Sequence, residues 1–241
     1  MGKQNNKKPI IGRRKIVGIA TAGTASTDYK GDNAFDTCRF SRHIGSYTFL
    51  KGISDVMASI AIDVISKAII SGIEKAHEDY RRMSGGYWVW TAAEYMLTTY
   101  IAKELSDMRG AKFVTVESNG LSSMDHAGAI APGRKPKLAR LSGRFDILLW
   151  WGKAKPRAVI EVKNQPGGPS CWYHDIDRIT SVLRINKDKS TIKFGAFAYY
   201  YSAADGKLLS AEEKVFNKFE RVEQYVREKL PDGLFGLSGN F

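Results

Sequence analysis

Two acidic residues and one lysine stand inside stretches that otherwise read as buried strand. Asp146 interrupts the apolar run Arg144-Phe-Asp-Ile-Leu-Leu-Trp-Trp151, and Glu161 and Lys163 interrupt Ala158-Val-Ile-Glu-Val-Lys163. Side chains alternate along a strand, so Glu161 and Lys163 project from one face. A turn through Gly152 to Pro156 pairs the two strands as a hairpin and brings Asp146 across from them. Burying such charges is costly unless they are paired or hold a metal. Hard carboxylate oxygens favour Mg²⁺, with Mn²⁺ as the expected substitute, because Mg²⁺ takes one or two carboxylates plus waters and phosphate oxygens. A lysine beside that ion can orient a water and offset charge on a pentacovalent transition state. The chemistry this suits is hydrolysis of a phosphodiester.

The surrounding pattern supplies elements to hold such a site. Apolar residues Ile53, Val56, Met57, Ile60, Val64, Ala68 and Ile69 recur mostly three and four apart, which predicts a helix from about 53 to 82. Gly85-Gly86 breaks it, and a second helix over about 88–107 carries Trp90, Leu97, Ile101 and Leu105, with Glu94 inside it. The period then changes to that of a strand at 112–117, followed by a basic loop containing Gly and Pro that reaches about Ser142. After the two charged strands, Ser170 is placed to cap a helix running to about Arg184, and an aromatic-rich strand covers 193–201. Ser210 and Glu213 form a capping box ahead of a last helix with Val215, Phe219, Val222 and Val226 on one stripe. The expected organisation is a basic, mostly irregular arm over 1–50, a helical extension over 51–86, and an α/β core with a C-terminal helix over 87–241.

In this setting Asp146 followed by Glu161-Val-Lys163 resembles the PD-(D/E)XK nuclease superfamily. The likeness covers about residues 87–202. It implies an α/β (α+β) restriction-endonuclease-like fold, an αβββαβ core whose central mixed sheet is flanked by helices, with the N-terminal helices as an extension. By that resemblance Asp146 and Glu161 bind divalent metal, Lys163 positions the water, and Glu94 on the first core helix assists. Phe145 stands where many members carry a proline, and Gln165 after the motif is a candidate substrate contact. The implied activity is that of a Mg²⁺-dependent deoxyribonuclease, an endonuclease acting on DNA. The alternative is an inactive nucleic-acid-binding or regulatory protein on the same fold, set against it by the presence of all three motif residues.

Charge points the same way. Of the 241 residues, 37 are Lys or Arg and 25 are Asp or Glu, a formal excess of +12 that favours a polyanionic partner. Arg134, Lys135, Lys137, Arg140 and Arg144 cluster just ahead of the Asp146 strand, where they would meet DNA phosphates beside the metal. Cleavage of both strands would suit a homodimer. The four histidines lack metal-ligand spacing, and Asp175 and Asp177 read as ordinary helix N-terminal acids. Two cysteines make no disulfide framework, and neither a secretory signal nor an uninterrupted apolar stretch of membrane length is present, so a soluble cytoplasmic protein without membrane association or a small-molecule cofactor is expected.

Overall fold

The computed structural model describes residues 13–23, 62–109, 113–130, 136–151, 154–229 and 237–240. Strands β2 (Phe113–Asn119), β3 (Arg144–Trp151) and β4 (Lys155–Asn164) form an antiparallel meander, and β5 (Phe194–Ala204) returns parallel to β4. These four make a mixed sheet. It is continued by β1 (Arg13–Gly23), antiparallel to β5, and by β6 (Leu237–Asn240), antiparallel to β1, in the order β2-β3-β4-β5-β1-β6. The eleven residues of β1 lie within the stretch expected to be a mostly irregular arm; their composition is strand-compatible, but only a partner strand distinguishes them from a tail. The rest of that arm and the first turns of the expected 53–82 helix lie outside the described residues.

The helices divide between the two faces of the sheet. On one side, α1 (Ile62–Met83) and α2 (Glu94–Ser106) bury Ile69, Ile73, Leu97, Ile101 and Leu105 against Ile147, Leu149, Ile160, Val162, Ala198 and Tyr200. On the other, α4 (Tyr173–Arg184) and α5 (Ala211–Lys229) bury Ile176, Ile179, Val182, Phe219 and Val222 against Leu148, Val159, Phe197 and Tyr199. A sheet covered on both faces needs nearly continuous apolar strands, which is why β3, β4 and β5 read as they do and why a charge inside them stands out. A short helix, α3 (Gly120–His126), occupies part of the expected basic loop, capped by Asn119 Oδ1 accepting from Ser122 N at 3.0 Å. No described helix is long and apolar enough to cross a membrane.

Two helix starts differ from expectation, for reasons that lie in tertiary contacts. Helix α2 begins at Glu94 rather than near Trp88, because Asn164 Nδ2 donates to the carbonyls of Val89 and Ala92 and holds the preceding segment as a 3-10 turn against the end of β4. Helix α4 begins at Tyr173, and Ser170 sits in its own 3-10 turn over Pro169–Cys171 instead of capping the helix. The capping box of α5 forms as read: Glu213 Oε2 accepts from Ser210 N at 2.7 Å, and Glu213 N donates to Ser210 Oγ at 3.2 Å.

Helix α2, which delivers Glu94, is set by backbone contact with α1. A Cβ on Gly72 would lie 2.6 Å from Ile101 Cα and 2.8 Å from Ile101 N, backbone atoms that cannot step aside singly. Gly72→Ala should therefore destabilise the fold by about 1–3 kcal/mol despite the better helix propensity of alanine. Urea unfolding checks this, and a stabilised variant would show that the two helices separate readily.

Candidate active site

The candidate residues converge where β3 and β4 part. Cross-strand pairing of β3 with β4 stops at Ile147 and Ile160, and the next positions along that register are Asp146 and Glu161. Past that point the main chain of β4 bonds a side chain of β3 instead: Val162 N donates to Asp146 Oδ2 at 2.7 Å. On the other side, pairing of β2 with β3 skips Glu117, whose φ of 52° lies in the left-handed region. The carboxyl groups of Asp146 and Glu161 are close enough that the Asp146 charge raises the pKa of Glu161.

Glu161 alternates with Ile160 and Val162, so it points to the α4 side of the sheet, where Arg178 meets it. Arg178 Nη1 lies 2.9 Å from Glu161 Oε1, with side-chain exposures of 6% and 4%, and this is a buried ion pair. The same guanidinium donates to the carbonyls of Arg144 (2.6 Å), Ala139 (3.3 Å) and Arg140 (3.4 Å), and its plane lies over the Phe145 ring, 4.4 Å from the centroid. One side chain therefore ties α4 to both charged strands and to the loop ahead of β3.

Lys163, two residues on, lies at the open end of β4. Its Nζ is 3.1 Å from Glu94 Oε1 and 3.5 Å from Asp175 Oδ2. Glu94 Oε2 accepts from Asn164 N at 2.8 Å, so the first residue of α2 clamps both the lysine and the strand end. Arg140 Nη2 reaches Asp175 Oδ1 at 2.9 Å. Glu94, Asp146, Glu161 and Lys163 thus gather about the carboxyl-terminal part of β4, the edge at which open α/β sheets carry ligands.

The remaining expected residues divide. Lys137 and Arg144 are exposed, and Arg140 is exposed but engaged with Asp175. Arg134 and Lys135 lie outside the described residues. Gln165 has both ends of its amide on β5, donating to Ser202 O at 2.7 Å and accepting from Ser202 N at 2.9 Å, so it fastens β4 to β5. Arg178 and Asp175 are additions to the site. In sequence, Arg178 is one arginine among many in a basic chain. Asp175 has the character of any acid in the first turn of a helix, and only the fold turns it toward Lys163.

Electrostatics follow from burial. Desolvation pushes the Glu161 carboxyl well above the ordinary range, the Asp146 charge adds to this, and Arg178 opposes it. Desolvation also raises Asp146, against the Val162 N–H that favours its ionised form. Burial works against the Lys163 ammonium, but Asp175 and Glu94 outweigh it and hold its pKa above that of an ordinary lysine. Among the described residues no cluster of three or more histidine, cysteine or acidic side chains is arranged to hold a metal ion. No family model, no curated protein and no solved structure matches the chain.

Two measurements test this charge arrangement. Because both carboxyls bind protons more tightly folded than unfolded, stability of the protein in EDTA should fall as pH rises above about 4 and through their raised folded pKa values. Asp146→Asn keeps an acceptor for Val162 N–H and removes the repulsion, so its melting temperature should exceed the wild type's at pH 7.5 and the difference should vanish at low pH. A variant melting lower at pH 7.5 contradicts the reading. Arg178→Met, by contrast, strands Glu161 in the interior and should cost about 3–5 kcal/mol. Adding Glu161→Gln should recover much of that loss in urea unfolding, whereas simple additivity of the two changes would mean the pair does not interact.

Proposed function

We propose that the chain is a divalent-metal-dependent nuclease that hydrolyses DNA phosphodiester bonds, built on a restriction-endonuclease-like core. What carries the reading is the convergence of Asp146, Glu161 and Lys163 at the end of β4, within the order α2-β2-α3-β3-β4-α4-β5. The donor set fits a hard cation. A buried and a half-buried carboxyl, both raised by desolvation and with the charge of Asp146 further raising Glu161, are a pair whose charges a divalent ion can offset, and carboxylate oxygens are the ligands Mg²⁺ and Mn²⁺ prefer.

Asp146 and Glu161 are then the metal-binding residues, and the bound ion would activate water and offset charge on the phosphate. Arg178 and Val162 N–H hold the two carboxylates in fixed orientations. Lys163 carries its proton at neutral pH, so its part is to attract the phosphate, orient the attacking water and stabilise the transition state rather than to accept a proton. Glu94 acts as a positioning residue through Lys163 and Asn164 N. Water adds to phosphorus and gives up a proton to solvent, the bond from phosphorus to the leaving sugar oxygen breaks, and that oxygen takes up a proton from solvent, so the net change is addition of one water across the bond.

The test is incubation of the protein with plasmid and linear DNA in Mg²⁺, Mn²⁺ or EDTA. Metal-dependent cleavage is expected, abolished by Asp146→Ala or Glu161→Ala and reduced at least a hundredfold by Lys163→Ala. Lys163→Arg should rescue poorly, because a planar fork does not replace a compact ammonium. DNA binding without cleavage by the wild type would favour a binding protein on the same fold, and full activity in the alanine variants would move the chemistry elsewhere.

A further inference from the structure

Two cations converge on one carboxylate beside the metal-binding pair. Asp175 presents Oδ1 to Arg140 Nη2 at 2.9 Å and Oδ2 to Lys163 Nζ at 3.5 Å, one oxygen to each. This is the pattern in which the two non-bridging oxygens of a phosphodiester would meet the same cations. The partners differ in freedom. Asp175 is fixed in the first turn of α4 with a side chain 12% exposed, and an acid is favoured there by the helix dipole. Arg140 is 46% exposed and sits at the end of a 3-10 turn with φ 42°, and among the described residues its side chain otherwise donates to His174 O at 3.1 Å. Lys163 retains Glu94 whatever becomes of Asp175.

Resting on the nuclease reading, we propose that Asp175 is an internal stand-in for the substrate phosphate, occupying the Arg140–Lys163 seat until a backbone phosphate of DNA draws Arg140 away. The exchange moves the exposed arginine and leaves the buried aspartate in place. Asp175 then serves Lys163 alone, holding the ammonium beside the metal-binding carboxylates while Arg140 pulls the phosphate toward it. A half-exposed arginine paired this way is kept from seizing stray anions, because any ligand must outcompete a carboxylate already in position.

The experiment is binding of a short labelled duplex in EDTA at several salt concentrations, by wild type, Asp175→Asn, Arg140→Gln and the double variant. Asp175→Asn should bind several-fold more tightly than wild type at low salt. Its log–log salt slope should steepen by up to about 0.9, since Arg140 then gains a phosphate without leaving a carboxylate to recruit a cation. In the Arg140→Gln background the same substitution should change both quantities much less, because only the weaker contact with Lys163, which keeps Glu94, is then released. An equal gain in both backgrounds would show a general effect of removing negative charge and overturn the proposal, as would duplex binding by wild type that Asp175→Asn does not alter. A wild type that binds no duplex even at low salt removes the nuclease reading and this inference together, a result distinct from the other two. Asp175→Ser, which also suits a helix N-terminus, repeats the measurement if the asparagine variant does not fold.

Discussion

The pairing of Glu161 with Arg178 is the constraint on which the site depends. A carboxylate on a central strand, covered by helices on both faces, would neutralise itself or unfold its surroundings unless a partner reached it from the adjoining layer. Arg178 does so from the middle of α4, and the donors left over from that contact bind the carbonyls of Ala139, Arg140 and Arg144. The loop carrying the basic residues, the start of β3 and the charged position of β4 are therefore held by a single guanidinium. Arginine suits this role better than lysine, because a planar fork can serve a carboxylate and several carbonyls at once.

Strand separation creates the space in which chemistry is proposed. Had β3 and β4 continued to pair, Val162 N–H would have met a backbone carbonyl and Asp146 would have been one more cross-strand neighbour. Instead its carboxylate takes that N–H, and the β3–β4 ladder gives way to a cluster of side chains at the carboxyl-terminal part of β4. Helices α2 and α4 both begin near this edge, with Glu94 on α2 and Asp175 on α4. Lys163 lies between them and so has an acidic partner from each face of the sheet. Two neighbouring carboxyls raised by desolvation and a lysine held as a cation are charges that the fold places together at a cost to its own stability, as functional sites commonly do.

The periodicity of the chain was sufficient for the order of its central elements and for Asp146, Glu161 and Lys163, because charges inside apolar strand runs are conspicuous against a background that burial makes uniform. Placing Glu161 and Lys163 on one face followed from strand alternation alone. The capping box of α5 was equally legible, since both partners lie within four residues of each other.

What only the tertiary structure decided is everything that depends on residues far apart in the chain. Asn164 sets the start of α2 from seventy-odd residues away, β1 becomes a strand by finding β5, and Gln165 turns from a candidate substrate contact into a fastener between strands. Arg178 and Asp175 carried no local signal, because an arginine in a basic chain and an acid at a helix start are both ordinary; their meaning comes from which strand end the helix faces. Local propensity and pattern are written in neighbouring residues, whereas the partner of a buried charge is chosen by packing, and packing is a property of the folded chain as a whole.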